Sequence, residues 1–261
     1  MKLSELTGAM RRSSGAAEAT VDETWLQGRS VFGGLQAVVA LAAMRTLVPE
    51  TTPLRTLQMT FVAPVPGGAV NARATLLRAG KSATQVEARL VDGDATLATA
   101  VAVFGLARDS AVQRALPAPR AFDRKPIRLP FKQNVTPNFM QHFAVELLDG
   151  ALPFSGHPVH SAAYRLGLDD QAPVGEAHLL AFADFVPPVA LAWSPSVVPG
   201  SSMTWMLEFF AHDVARHRLD GWQVESEMIA ASEGYTSQST ILWAPDRTPV
   251  ALSRQSMVVF A

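Results

Sequence analysis

The residue of this 261-residue chain best placed to do chemistry is Asp184. It sits in the run LLAFADFV, among Leu179, Leu180, Ala181, Phe182, Ala183, Phe185 and Val186. On a helix its neighbours three, four and seven positions back are Ala181, Leu180 and Ala177, so its face is apolar. A carboxylate there must find hydrogen-bond partners or keep its proton. Two uses fit: handling a proton or a bound water, or capping the chain before Pro187-Pro188. Gln255 lies in an otherwise apolar final run, between Arg254 and Ser256. It either faces a site or is the solvent side of a half-exposed strand. Ser202 and Thr204 offer hydroxyls two residues apart, on one side of a regular strand, although hydroxyls are also ordinary strand residues. Gly33-Gly34 opens a long apolar stretch. A helix beginning there presents unpaired N–H groups and partial positive charge, suited to an oxyanion or a phosphate; tight helix entry explains the same glycines.

Other chemistries are excluded or unsupported. The chain has no cysteine, which removes disulfides, thiolate nucleophiles and cysteine-bound zinc. Its six histidines include His157 and His160 in HPVH, without a third ligand candidate nearby, so a surface loop is expected and no metal. His178 precedes Asp184 by about a turn and a half and does not share its face. There is no GxSxG elbow, no dinucleotide fingerprint and no P-loop. The formal net charge is −1 and the 22 Lys and Arg are scattered, which argues against nucleic acid. Residues 33–48 are the most apolar stretch, but they are too short for a bilayer and contain Gln36 and Arg45. They read as a buried helix. The first fifteen residues contain no signal-peptide stretch; with the missing cysteines, this suits a cytoplasmic protein. Trp193, Trp205, Trp222 and Trp243 are expected in the core or at an interface.

The elements that would position these residues occur twice. Gly33 starts a helix with apolar residues on all sides. Strand-like runs follow at 55–65, 69–78, 83–92 and 95–104, punctuated by Gly and Asp. In the second half Gly175-Glu176 opens AHLLAFADFV, which Pro187-Pro188 limits. Runs follow at 202–211, 222–231, 235–243 and 249–260. TLQMTFVAPV from Thr56 is similar to TWMLEFFAHD from Thr204, and the turn at Gly80 falls opposite Gly234. Between the halves, five prolines in residues 105–140 predict an extended connector. The expected fold is α+β: two tandem units, each a central helix wrapped by an antiparallel sheet, with residues 1–110 and 141–261 as the units and 111–140 as the linker. Pairing Gly33 with Gly175 puts Ala42 opposite Asp184 and the strand offset puts Leu54 opposite Ser202. No Gln stands opposite Gln255, so one site per chain is expected, in the second half.

VFGGLQAVVALAAM (Val31 to Met44) with TFVAPVPGG, then LLAFADFVPPVAL, then VESEMIAASEGYTSQSTILWAPDRTPVALSRQSMVVF resemble, in order and spacing, the thioesterase II family of double-hotdog acyl-CoA thioesterases. The resemblance implies thioester hydrolysis by a water held between an Asp, a Ser or Thr, and a Gln. By motif these are Asp184, Gln255 and Ser202, with Thr204 as competitor because the strand lacks the family's Asp-His-Ser stretch. It further implies an acyl-CoA substrate, an apolar tunnel for the acyl tail between the helices and sheets, no cofactor, oxyanion stabilisation at a helix start such as Gly33-Gly34, and a homodimer or higher oligomer. A hotdog hydratase would need an Asp-x-Asn-Pro-x-His-like stretch, which is missing. A non-catalytic acyl-binding protein on the same fold is the alternative from another class.

Overall fold

The computed structural model describes residues 1–260. In chain order the elements are α1 (Leu3–Ala9), β1 (Arg11–Ser13), β2 (Ala16–Val21), β3 (Leu26–Gln27), β4 (Ser30–Val31), α2 (Gly33–Arg45), β5 (Leu54–Phe61), β6 (Gly68–Ala79), β7 (Ala83–Asp92), β8 (Ala95–Gly105), β9 (Ile127–Arg128), β10 (Phe143–Asp149), β11 (Ser161–Leu168), α3 (Glu176–Ala183), β12 (Gly200–Phe209), β13 (Trp222–Ser232), β14 (Tyr235–Trp243) and β15 (Pro249–Val259). Apart from the β3–β4 ribbon, all strands join one antiparallel sheet in the order β1-β2-β6-β7-β8-β5-β12-β15-β14-β13-β11-β10-β9. The order reads almost the same from either end, with β5 and β12 at the middle. Thr56 and Thr204 lie on those two central strands, and the turns at Gly80 and Gly234 join equivalent pairs, β6–β7 and β13–β14. This is a double hotdog.

The four strands after each helix fall on their expected runs, but only three of them form a meander: the first, β5 or β12, pairs with the last, β8 or β15, and with its counterpart in the other half, not with its chain neighbour β6 or β13. Each unit also has strands before its helix that the sequence pattern did not announce: β2 before α2 and β11 before α3 extend the sheet on either flank, followed outward by β1 and by β10 and β9. AAEATV and SAAYRLGL are rich in good helix formers, and pairing to a neighbouring strand overrides that weak preference. The connector has no regular element between β8 and β9. Its first half is strapped to the second unit: Trp243 Nε1 donates to the Pro117 carbonyl, Arg247 to that of Pro119, and Arg120 pairs with Glu225. Among the described residues no helix is long and apolar enough to cross a membrane.

Both central helices are buried almost all round. They run antiparallel against each other, each covered by its own unit's sheet. At one end, Arg45 in the last turn of α2 grips Glu176 in the first turn of α3, with Nε to Oε2 at 2.9 Å. Arg45 also lies 4.5 Å over the Phe104 ring and donates to the carbonyls of Pro49 and Thr52. Each charge faces the helix end whose dipole favours it. At the other end the helices approach so closely that Gly34 has no room for a side chain. A Cβ there would stand 2.6 Å from Cε1 of Phe32 and 3.0 Å from the carbonyl oxygen of Leu180. Phe32 cannot swing aside easily, because it is buried and stacked on Phe139 at 4.2 Å.

A glycine-to-alanine change on an open helix stabilises by about 1 kcal/mol. At Gly34 the close approach reverses the sign: Gly34→Ala is expected to destabilise by about 1–3 kcal/mol, read from the urea midpoint. An unchanged or higher midpoint would show that the helices are not in tight contact there.

Candidate active site

Asp184 is the residue that ends α3. The helix stops at Ala183 rather than running on through Phe185, because Pro187-Pro188 cannot continue it. Asp184 takes the capping position with φ −98° and ψ −1°, its N–H bonded to the Leu180 carbonyl. Asp184 therefore caps a helix end, as one of the two uses has it, and its side chain also enters the interior. The residue as a whole is half-buried, but its carboxyl is enclosed.

That carboxyl lies against the N-terminus of α2. A Cβ on Gly33 would fall 2.6 Å from Oδ2, so position 33 must be glycine for the carboxyl to lie where it does. The Gly34 N–H donates to the carboxyl, and Gln255 Nε2 donates to Oδ1 at 2.5 Å. Burial pushes the Asp184 carboxyl up to about 7, working against the Gln255 and Gly34 bonds, which favour the charged form. The group can therefore exchange a proton near neutral pH. The sequence offers two uses for Gly33 and Gly34, an oxyanion or phosphate site and tight helix entry; here both positions are crowded as tight entry requires, and the Gly34 N–H is engaged by the carboxyl.

Gln255 is 5% exposed and points inward from β15, so the solvent-facing alternative for it is wrong. It stands directly opposite Trp205 on β12 and Gln238 on β14. The two hydroxyl candidates separate. Regular alternation would give them one side, but the β12–β15 register shifts between Ser202 and Thr204, with Met203 as the extra residue. Ser202 pairs with Met257, two residues from Gln255 on the inner face. Thr204 pairs with Ser256 and, across the centre, with Thr60, and it is exposed on the outer face. Asp184 and Gln255 are thus in direct contact, Ser202 shares their face, and Thr204 does not. Among the described residues Ser202 makes no side-chain hydrogen bond to either.

Gln238 was not singled out in the sequence, yet it is 2% exposed and adjacent to Gln255, its Oε1 accepting from the Val189 N–H at 3.0 Å. In YTSQSTILW both alternating sets are largely polar, so periodicity gave no sign of which one faced inward. Phe61, at the end of β5, comes within 3.3 Å of a Cβ on Gly33 and adds an aromatic edge. The histidines stand apart from this cluster. His157 and His160 are exposed. His142 stacks on Trp25 at 3.9 Å and bonds Thr24, its pKa lowered to about 4 chiefly by burial. His178 is buried, accepts from the Gly175 N–H and lies 3.6 Å from Asp170. Trp205, Trp222 and Trp243 are buried as expected. Trp193 is not a core residue: it is 44% exposed, its indole N–H tied to the Val159 carbonyl.

No curated protein sequence matches the chain. Solved structures match it over nearly its whole length at low identity. A conserved protein with hot dog fold from Alicyclobacillus acidocaldarius is 21% identical, with TM-score 0.85 over 99% of this chain and 98% of that one. The tesB protein of Mycobacterium avium subs paratuberculosis is 14% identical, with TM-score 0.78 over 100% of both chains. Acyl-CoA thioesterase II TesB2 from Mycobacterium marinum is 14% identical, with TM-score 0.72 over 98% and 97%. These likenesses concern the fold. The family models go further: the acyl-CoA thioesterase N-terminal domain matches residues 21–105 and the C-terminal domain matches residues 114–259. With both domain models matched in order along nearly all of it, the chain belongs to the acyl-CoA thioesterase family.

Proposed function

We infer that the protein hydrolyses an acyl-CoA thioester by direct attack of water, with Asp184 as general base. The observation that carries this reading is the enclosed Asp184 carboxyl, bonded by Gln255 and the Gly34 N–H and raised to about 7. A base of that strength is matched to water activation at neutral pH. The carboxylate takes a proton from water as the water oxygen bonds to the thioester carbon. The carbonyl electron pair moves onto oxygen, and the Gly33 N–H at the start of α2, which has no hydrogen-bond partner among the described residues, is suited to stabilise it. Collapse of this intermediate breaks the carbon–sulfur bond, and the leaving thiolate takes the proton from Asp184. The products are a carboxylic acid and coenzyme A, with no acyl-enzyme. Gln255 orients the carboxylate, and Ser202, on the same face, would hold the water. The acyl tail would lie among the apolar side chains between the helices and the sheet.

Assays with acyl-CoA thioesters of graded length test the reading. Asp184→Asn is expected to lower kcat about 10²–10⁴-fold. Wild-type kcat/KM should rise with pH through a limb near 7. Binding without turnover in the wild type would leave an acyl-binding protein instead. The same substitution has an opposite effect on stability. A carboxyl whose folded pKa lies above its unfolded one favours the fold below about 4 and loses that contribution as pH rises through about 7. Asp184→Asn should therefore raise stability by roughly 2–4 kcal/mol at pH 8, with the gain vanishing towards pH 4; equal wild-type and variant melting curves at pH 8 would contradict the buried carboxyl. The bulge supplies a third test. Ser202→Ala should lower kcat/KM at least about 10-fold, whereas Thr204→Val, on the outer face, should stay within about twofold of wild type; the reverse ranking would assign the hydroxyl to Thr204.

A further inference from the structure

The two halves fold alike but bury different chemistry. Every fully buried side chain on β5 to β8 is apolar, whereas six buried positions on β13 to β15 carry Ser226, Thr236, Gln238, Thr240, Ser253 and Gln255. The first half demonstrates that this fold packs without such groups, and burying them carries a desolvation cost. Four of the six are accounted for. Ser226 and Thr240 bond each other at 2.5 Å, Ser253 takes the Trp205 indole N–H at 2.7 Å, and Gln255 holds Asp184.

Gln238 and Thr236 remain. The Val189 N–H can only donate, so it must meet the carbonyl oxygen of Gln238; this fixes the amide and turns its NH2 the other way. Thr236 Oγ1 is sealed from solvent and has no hydrogen-bond partner among the described residues. Thr236 is two residues from Gln238 on the same face and opposite Met257, which itself stands opposite Ser202. The wall that carries Gln255 therefore continues into an amide donor roughly 5 Å across the sheet and a hydroxyl roughly 7 Å further along. None of the buried residues on β12 to β15 is cationic, and Asp184 is close by. The wall matches a neutral acceptor oxygen and not a second carboxylate.

We propose that Gln238 and Thr236 form a polar subsite beside Asp184 and Gln255 for an oxo or hydroxyl group on the acyl carbons next to the thioester. This rests on the hydrolase reading above and narrows its substrate to neutral, oxygenated acyl thioesters.

The test compares kcat/KM for 3-hydroxybutanoyl-CoA and acetoacetyl-CoA with that for butanoyl-CoA. The oxygenated thioesters should be favoured at least about 10-fold. Gln238→Met and Thr236→Val should each depress the oxygenated substrates more than butanoyl-CoA, bringing the ratio towards one; Thr236→Val is isosteric and leaves the Val189 bond intact. Hydrolysis of all three at a wild-type ratio near one, or a ratio that neither variant changes, overturns the subsite while leaving the hydrolase in place. If nothing is hydrolysed the hydrolase reading fails, and the Kd ratio of the corresponding non-hydrolysable thioether analogues decides the subsite: a ratio near one overturns it, and a 10-fold preference lost in Thr236→Val supports it.

Discussion

The constraint on which the molecule depends is the antiparallel contact of two apolar helices inside one continuous sheet. Neither helix has a polar face to offer water, so each must be covered by its own half of the sheet and by the other helix. Antiparallel packing then brings the N-terminus of α2 to the C-terminus of α3, and the reverse at the far end. Both junctions unite opposite helix ends, and the chain treats them differently. One is closed by the bidentate pair of Arg45 and Glu176, with each charge on its favourable dipole end. The other holds a single carboxyl with no cation against it among the described residues, only a backbone N–H and a carboxamide.

Under the proposed mechanism, that difference separates a structural junction from a reactive one. A guanidinium beside Asp184 would hold its carboxyl well below neutrality and leave it too weak a base. Neutral donors orient the group without cancelling the effect of burial, and so leave it titrating near 7. The glycines complete the arrangement by omission: a side chain at position 33 would occupy the carboxyl's own space, and one at 34 would push the helices apart.

Much of this was legible in the sequence, for identifiable reasons. The helices come from apolar runs of good helix formers bounded by glycine and proline, and the four strands after each from patterns that tertiary packing did not override. Asp184 stood out because an acid in an apolar run demands a partner, and Gln255 because it interrupts an apolar strand. What stayed hidden was relational. The bulge at Met203, which parts Ser202 from Thr204, leaves no mark in SSMTWMLEF, since no glycine announces it. The link from Asp184 to Gly33 and Gly34 joins residues about 150 positions apart in sequence and exists only once the halves pair. The strands β2 and β11 are invisible because alanine-rich segments become strands only when a neighbour supplies the ladder.

The comparison of the halves bears on how one site arises from two. A duplicated unit with a pseudo-twofold axis begins with two equivalent helix junctions. Keeping reactive groups at both would bury two uncompensated carboxyls, each opposing folding at neutral pH. Here the first unit has an all-apolar sheet face over its helix, and the junction at its C-terminal end carries a salt bridge that supports the fold. The second unit retains the buried polar wall and the unpaired acid. On the proposed reading, stability and chemistry are carried by opposite ends of the same helix pair. The tight apolar packing of one half is what lets the other hold a carboxyl in a state that the fold alone would not favour.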